Sequence, residues 1–315
     1  MYRFALVVLS ILCIASLPKA NAAFPDGPIK LIVPFAAGDV LDGTARALAE
    51  RMSDALKQPV IVENRPGAGG YIAGGAVSKA PADGYTLLFG TVAMMAITPR
   101  LRKAPYSPED FEPVAKVAYV LPVFSINEKV PVKTWGEFVT YAKDRPGQLT
   151  YGTPGEGTWQ HIATEYLLSR VGVTMTAVPY RGMAPAVTDF LGGRVTAVID
   201  PTAFPHLQAG KGRGLLAMGN SRFEGLPDAP SAKELGIDFG LESWFGVFAP
   251  RGLPPDVAKR LEQAIASAVE SQLFKSKLPV GINADYLNVA QFRRLLSSDT
   301  ERYAKILEIL KIKLE

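Results

Sequence analysis

The sequence predicts an α/β protein, and three observations carry that expectation. Short β-rich runs alternate with segments of helical apolar spacing along the chain. Several of those runs end in small, polar, glycine-bearing loops that open a helix. No repeat period or low-complexity tract interrupts the alternation.

The first residues stand apart from this pattern. Arg3 lies in a short basic start, Phe4 to Ile14 is apolar, and Ala20-Asn21-Ala22 has a small-residue cleavage form. That order matches a secretory signal peptide cut near Ala22, and the run is shorter than the ~20 apolar residues that span a bilayer. Residues 1–22 are therefore expected to be removed on export to the periplasm. Cys13 is the sole cysteine, and bulky Leu12 precedes it where a lipoprotein signal has a small residue. The remaining chain then has no disulfide and no thiolate, and must rest on a large hydrophobic core. Without Arg3 and Lys19, Lys+Arg falls from 34 to 32 against 30 Asp+Glu. So even a balance, with no basic cluster, excludes nucleic acid as a partner.

The elements follow in order. Ile29–Val33 is a buried strand ending at Pro34. Leu41, Ala45, Leu48, Ala49, Met52 and Leu56 share one helix face, with Asp39 or Asp42 at the first turn to meet free N–H groups. Val60–Glu63 is a strand, Asn64–Gly70 a loop, Tyr71–Lys79 a small-residue helix and Tyr85–Phe89 a third strand. The middle repeats the theme with strand Val123–Asn127, a helix to Lys143, strand Leu149–Gly152 and helix Trp159–Val171. Strand Met175–Val178 and helix Pro185–Leu191 follow, and Gly192-Gly193 stops that helix. Val195–Asp200 and Gly214–Met218 are strands, and Pro255–Glu270 and Ala290–Leu310 are longer helices.

Three strand-to-helix loops stand out: Pro34–Asp42, Thr153–Thr158 and Asp200–Thr202. In open α/β sheets ligands bind beyond the carboxyl ends of strands, and helix N-termini there suit an anion. This reasoning does not choose between carboxylate and phosphate.

Enzymatic signatures are weak. His161 and His206 are the only histidines, and neither stands in an H-E-x-x-H spacing. His161 and Glu165 share a helix face, but no ligand cluster accompanies them, so no metal is expected. There is no G-x-S-x-G elbow, no phosphate-binding loop of Walker type and no G-x-G-x-x-G in Gly67–Gly75. Carboxylates are scattered without a pattern for glycoside hydrolysis.

The same segments resemble a known family. Pro34-Phe35-Ala36-Ala37-Gly38 with Asp42 and Ala45-Arg46 resembles the opening motif of Bug receptors, the solute-binding proteins of tripartite tricarboxylate transport. Val62–Gly70 is similar to their V-E-N-x-x-G-A-G-G, and Ala80–Leu88, Asp110–Val114 and Gly155-x-Gly157-Thr158-x-x-His161 continue the series. Val178–Gly182, Leu226–Pro230 and Trp244-Phe245-Gly246 complete it, so the likeness spans the chain after the leader.

The resemblance implies a type II periplasmic-binding fold of two α/β domains around a cleft. Domain one takes residues 23–118 and 220–315, and domain two takes 119–219. The chain then crosses near Val117–Val120 and again near Ala217–Ser221. The implied activity is capture of a small mono-, di- or aromatic carboxylate for a membrane transporter, with no reaction, no cofactor and a monomeric receptor. A receptor signalling ligand to a membrane histidine kinase shares this fold and is the rival expectation; a hydrolase is a more distant one.

Carried over by position, the first loop (Phe35, Ala36, Ala37, Gly38, Asp39) offers backbone N–H groups and Thr91 a hydroxyl. Thr153, Gly157, Thr158 and His161 grip one carboxylate, and Asp200 and Thr202 close the pocket. Helix capping is the simpler role for each threonine, and holding its own loop is the simpler role for Asp200. Arg181 is expected to anchor the loop after Tyr180. Asp39 departs from the family's usual glycine. It either repels a second carboxylate and favours an amine or a neutral tail, or caps its helix. Trp159 either stacks on an aromatic acid or packs against domain two. A monocarboxylate or aromatic acid is the expected ligand.

Overall fold

The computed structural model describes residues 24–312, in which the chain forms two β-sheets with helices packed on them. The leader and Cys13 lie outside the described residues. The chain starts with β1 (Ile29–Val33), α1 (Val40–Leu56), β2 (Val60–Asn64), α2 (Tyr71–Val77) and β3 (Thr86–Thr91). A π-helical turn at Ala93–Ile97 and the short α3 (Thr98–Leu101) lead into β4 (Phe111–Val120). β5 (Val123–Ile126), α4 (Trp135–Lys143), β6 (Thr150–Thr153), α5 (Trp159–Val171) and β7 (Thr176–Pro179) follow. Then come α6 (Met183–Gly192), β8 (Ala197–Val198), α7 (Phe204–Gln208) and β9 (Arg213–Ala217). The chain ends with β10 (Ser243–Pro250), α8 (Pro255–Glu270), α9 (Gln272–Lys277), β11 (Ile282–Leu287) and α10 (Val289–Leu310).

The first sheet runs β11-β4-β10-β3-β1-β2, and the second runs β7-β6-β8-β5-β9. β1 pairs in parallel with β2 and β3, from Ile29 opposite Val60 and Lys30 opposite Thr86. β10 inserts antiparallel between β3 and β4. In the second sheet β6 lies parallel to β7 and β8, and β5 is antiparallel to β8 and β9. The chain passes to the second sheet between Val120 and Val123. It returns between Ala217 and Ser243, and on the way residues 230–232 stay hydrogen-bonded beside the end of β9.

Apolar periodicity explains the helices. In α8, Val257, Leu261, Ala264, Ile265, Ala268 and Val269 are buried on one stripe, and each fully buried Leu or Ile contributes about 1.5–3 kcal/mol relative to exposure. α5 and α8 span the residues expected from sequence, and most other elements differ by one or two residues at an end. Three strands go beyond that expectation. β4 carries Glu112, Pro113 and Lys116, which break any apolar run, and Lys116 is buried by pairing with Glu242 and, at 2.6 Å, with Asp285. β10 is buried at every position because both its faces are covered, Trp244 and Phe248 in one hydrophobic cluster and Phe245, Val247 and Ala249 in another, so it has no alternation to read. β11 is a half-buried edge strand with a register shift. Conversely, only Ala197 and Val198 of the expected strand Val195–Asp200 join the ladder.

Gly246 sits where β10 approaches α10. A Cβ there would collide with the Phe292 ring and come within 3.1 Å of the Ala115 carbonyl oxygen. Gly246→Ala is therefore expected to cost about 1–3 kcal/mol through overpacking, read as a lower urea midpoint at unchanged slope.

Candidate functional site

The carboxyl ends of parallel strands in both sheets carry the residues singled out from sequence. β1 leads into Pro34–Asp39, β3 ends at Thr91, β6 ends at Thr153, and β8 leads to Asp200. The two edges approach one another: Asp39 of the first half lies near enough to Asp200 of the second for its charge to raise the Asp200 pKa.

In the first half a buried carboxylate shapes the loop. Asp42 accepts from the Gly38 N–H at 2.9 Å, Arg46 Nε at 3.0 Å and Asn64 Nδ2 at 2.9 Å. Asn64 Nδ2 also donates to the Phe35 carbonyl at 3.0 Å, and its Oδ1 accepts from Arg46 at 3.1 Å. Burial alone would raise the Asp42 pKa, but the bonds from Arg46, Gly38 and Asn64 outweigh it and hold the carboxyl below its ordinary value. Asp39 takes the N-cap position of α1 and accepts from the Leu41 N–H at 2.8 Å. The residue is exposed, yet the protein packed around its carboxyl desolvates it and raises its pKa, with the Leu41 bond opposing and the Asp42 charge adding.

The loop supplies fewer N–H groups than its sequence suggests. Gly38 donates to Asp42, and Asp39 donates to the Ala36 carbonyl at 3.2 Å. Ala36 and Ala37 are exposed, and their N–H groups have no partner among the described residues. Thr91 is buried, and its hydroxyl accepts from the Met94 N–H at 3.4 Å, so it caps the π-helical turn.

The second half is built around the start of α5. Thr158 holds the N-cap position, yet its hydroxyl donates backwards to the Gly155 carbonyl at 2.7 Å and makes no cap bond. Thr153 donates to the same carbonyl at 3.1 Å and lies 3.2 Å from the Thr158 hydroxyl. Capping is therefore not the role of either threonine here. The first-turn N–H groups of α5 have no partner among the described residues, and the helix dipole places partial positive charge there. Gly157 adopts φ +75°, a left-handed conformation that turns its N–H toward His161 Nδ1 at 3.1 Å. Nδ1 thus accepts, and burial lowers the His161 pKa against the opposing charges of Glu165 and Glu156. A neutral His161 keeps Nε2–H as a donor.

Asp200 closes this half. It is 5% exposed; Oδ1 accepts from the Thr202 N–H at 2.9 Å and from its hydroxyl at 2.5 Å, and Oδ2 faces Gln160 at 3.4 Å. The carboxyl therefore holds its own loop, as its simpler expected role required. Burial pushes its pKa up to about 6, with the Thr202 bonds opposing and the Asp39 charge adding.

Two residues fall elsewhere than a pocket wall would need. Trp159 is 4% exposed, and its indole N–H bonds Tyr303 at 2.8 Å and its ring meets Phe239 edge-on, so it packs instead of offering a stacking face. Arg181 is exposed and makes no ion pair or side-chain hydrogen bond among the described residues, so it does not anchor the Tyr180 loop. Tyr180 itself does that, through its N–H to the Thr153 carbonyl and its hydroxyl to Asp189 at 2.8 Å. Sequence reasoning missed Asn64 and Gln160 as bracing residues. Asn64 had one signal, an amide at a strand end opposite the loop it ties. Among the described residues no group of three or more His, Cys, Asp or Glu could hold a metal ion.

A model described as the tripartite tricarboxylate transporter family receptor matches residues 44–312. Protein BugT of Bordetella pertussis is 34% identical over 296 residues, covering 92% of this chain and 91% of that protein. A solved structure of Rpa4515 from R. palustris with adipate is 35% identical with a TM-score of 0.84, covering 92% of this chain and 99% of that one. MatC (Rpa3494) from Rhodopseudomonas palustris with bound malate is 28% identical with a TM-score of 0.81, covering 90% of this chain and all of that one.

Two outcomes follow from the site's electrostatics. Asp42→Ala should cost about 1–3 kcal/mol in urea unfolding, because Gly38 and Asn64 lose their buried acceptor. Asp200 has a folded pKa of about 6 against an ordinary 3.8, so the folded state holds the proton more tightly. Its stabilising contribution is complete below about pH 3.8 and is lost as pH rises through about 6. Urea midpoints of the native protein should therefore fall relative to Asp200→Asn across that window, and a constant difference would contradict the assignment.

Proposed function

We propose, from the fact that the chain belongs to the tripartite tricarboxylate transporter receptor family, that it captures one small carboxylate between its two halves and delivers it to a membrane transporter of that type. Proteins of this family are periplasmic substrate-binding proteins, and the chain is a receptor of that kind, not an enzyme. The leader cleaved near Ala22 is the proposed route to the periplasm.

The observation that carries the reading is the open start of α5. Its first-turn N–H groups lack a side-chain cap, while Thr153, Thr158, Gly157 and His161 surround them. A carboxylate there would complete the helix terminus with charge-assisted hydrogen bonds. Ala36 and Ala37 offer further N–H groups from the first half. Closure of the two halves on this anion is the working motion.

The far end of the ligand meets a different field. Asp39 and Asp200 lie on facing edges and bring two acidic groups to one site. A second ligand carboxylate there is repelled, whereas a neutral or ammonium end is tolerated. The reading is thus a small monocarboxylate with an uncharged or amine-bearing tail, in contrast to the adipate and malate carried by the similar structures.

A thermal-shift series with adipate, 6-aminohexanoate and hexanoate tests this, because the three share one carboxylate and differ at the other end. Ligand at about 100 times its Kd should stabilise the protein by roughly 2.7 kcal/mol. The monocarboxylates are expected to exceed adipate, and Asp39→Gly should narrow or reverse that order. No stabilisation by any of the three, together with none by malate, would refute the carboxylate reading; adipate in first place would refute its finer part.

A further inference from the structure

Behind the site, one helix face receives an indole from each half of the molecule. Asp299 and Tyr303 stand four residues apart on α10 and so occupy successive turns of one face. Trp244 Nε1 of β10 donates to Asp299 at 2.7 Å, and Trp159 Nε1 of α5 donates to Tyr303 at 2.8 Å. All four side chains are buried: Trp244 and Tyr303 are 0% exposed, Asp299 3% and Trp159 4%. Elsewhere α10 packs against β4 and the π-helical turn of the first half. The Trp159–Tyr303 bond therefore ties the second half to a helix anchored on the first.

The place of this bond in α5 gives it a further consequence. Trp159 is the first helical residue, directly after Thr158 and two after Gly157, so its indole is fixed one residue from the free N–H groups. Phe239 packs edge-on against the same indole with ring centres 6.4 Å apart, and Ile306 and Leu307 belong to the same hydrophobic cluster. A buried indole N–H without an acceptor is costly, so the bond selects positions of α5 that keep Tyr303 in reach.

We propose that Tyr303 is a positioning residue for the ligand site: through Trp159 it sets where the first turn of α5 stands relative to the first half. It touches no ligand, and the halves close about this joint. The inference rests on the receptor reading in so far as the positioned N–H groups meet a carboxylate.

The test compares Tyr303→Phe with Phe138→Leu, a core substitution in α4 that lowers stability away from the joint. Spin labels at Lys79→Cys and Thr188→Cys, both exposed, report the separation of the halves in a Cys13→Ala background. Tyr303→Phe is expected to shift or broaden the ligand-free label distances and weaken binding of the best of hexanoate, 6-aminohexanoate, adipate and malate about five- to tenfold. Phe138→Leu should lower the melting temperature while leaving distances and Kd unchanged. The proposal is overturned if Tyr303→Phe lowers the melting temperature with distances and Kd as in the native protein. If the native protein binds none of the four probes, the receptor reading fails on its own. The label distances then decide the joint, and unchanged distances reject it.

Discussion

A helix that begins where a strand ends leaves its first N–H groups without partners, and the two halves meet that deficit in opposite ways. In the first half a side chain caps it: Asp39 takes the Leu41 N–H, while Asp42 takes the Gly38 N–H of the loop ahead of the helix. In the second half Thr158 turns its hydroxyl back to Gly155 and leaves the start of α5 open. The molecule thus has one helix start with a side-chain cap and one without. That asymmetry leaves the start of α5 without a side-chain cap, and among the described residues the Ala36 and Ala37 N–H groups of the first half are also without partners.

The surrounding charges refine this attraction. Asp42 is buried but well supplied with donors, so it stays ionised and serves as a fixed acceptor. Asp39 and Asp200 are less well compensated, and burial raises both. A cation placed near them would favour the ionised forms, and a further carboxylate would favour protonation.

Behind the cleft the constraint is burial. Trp159, Trp244, Asp299 and Tyr303 pair within a hydrophobic cluster shared by both halves, so the halves cannot separate there without stranding polar groups. Lys116 with Glu242 and Asp285 adds a second buried polar group close to the same strands.

Much of this was legible in the order of residues. Apolar spacing located α1, and strand-to-helix loops located the edge where Ala36, Thr153, Gly157 and Asp200 stand, because period and turn chemistry are local properties. The motif series gave the family for the same reason: Pro34–Gly38, Gly155–His161 and Val178–Gly182 each specify a local backbone path. What sequence left open was every choice between two uses of one side chain. Trp159 packs because Tyr303, 144 positions away, supplies its acceptor. Thr158 leaves its helix uncapped because its hydroxyl is committed to the Gly155 carbonyl, and Asp42 binds loop and strand because Asn64 is brought beside it. β4 and β10 became interior strands only through their partners, which pair Lys116 with Asp285 and cover both faces of β10 with two hydrophobic clusters. Local propensity fixes which elements form, whereas the partner of a buried polar group depends on what the fold carries to it from elsewhere in the chain.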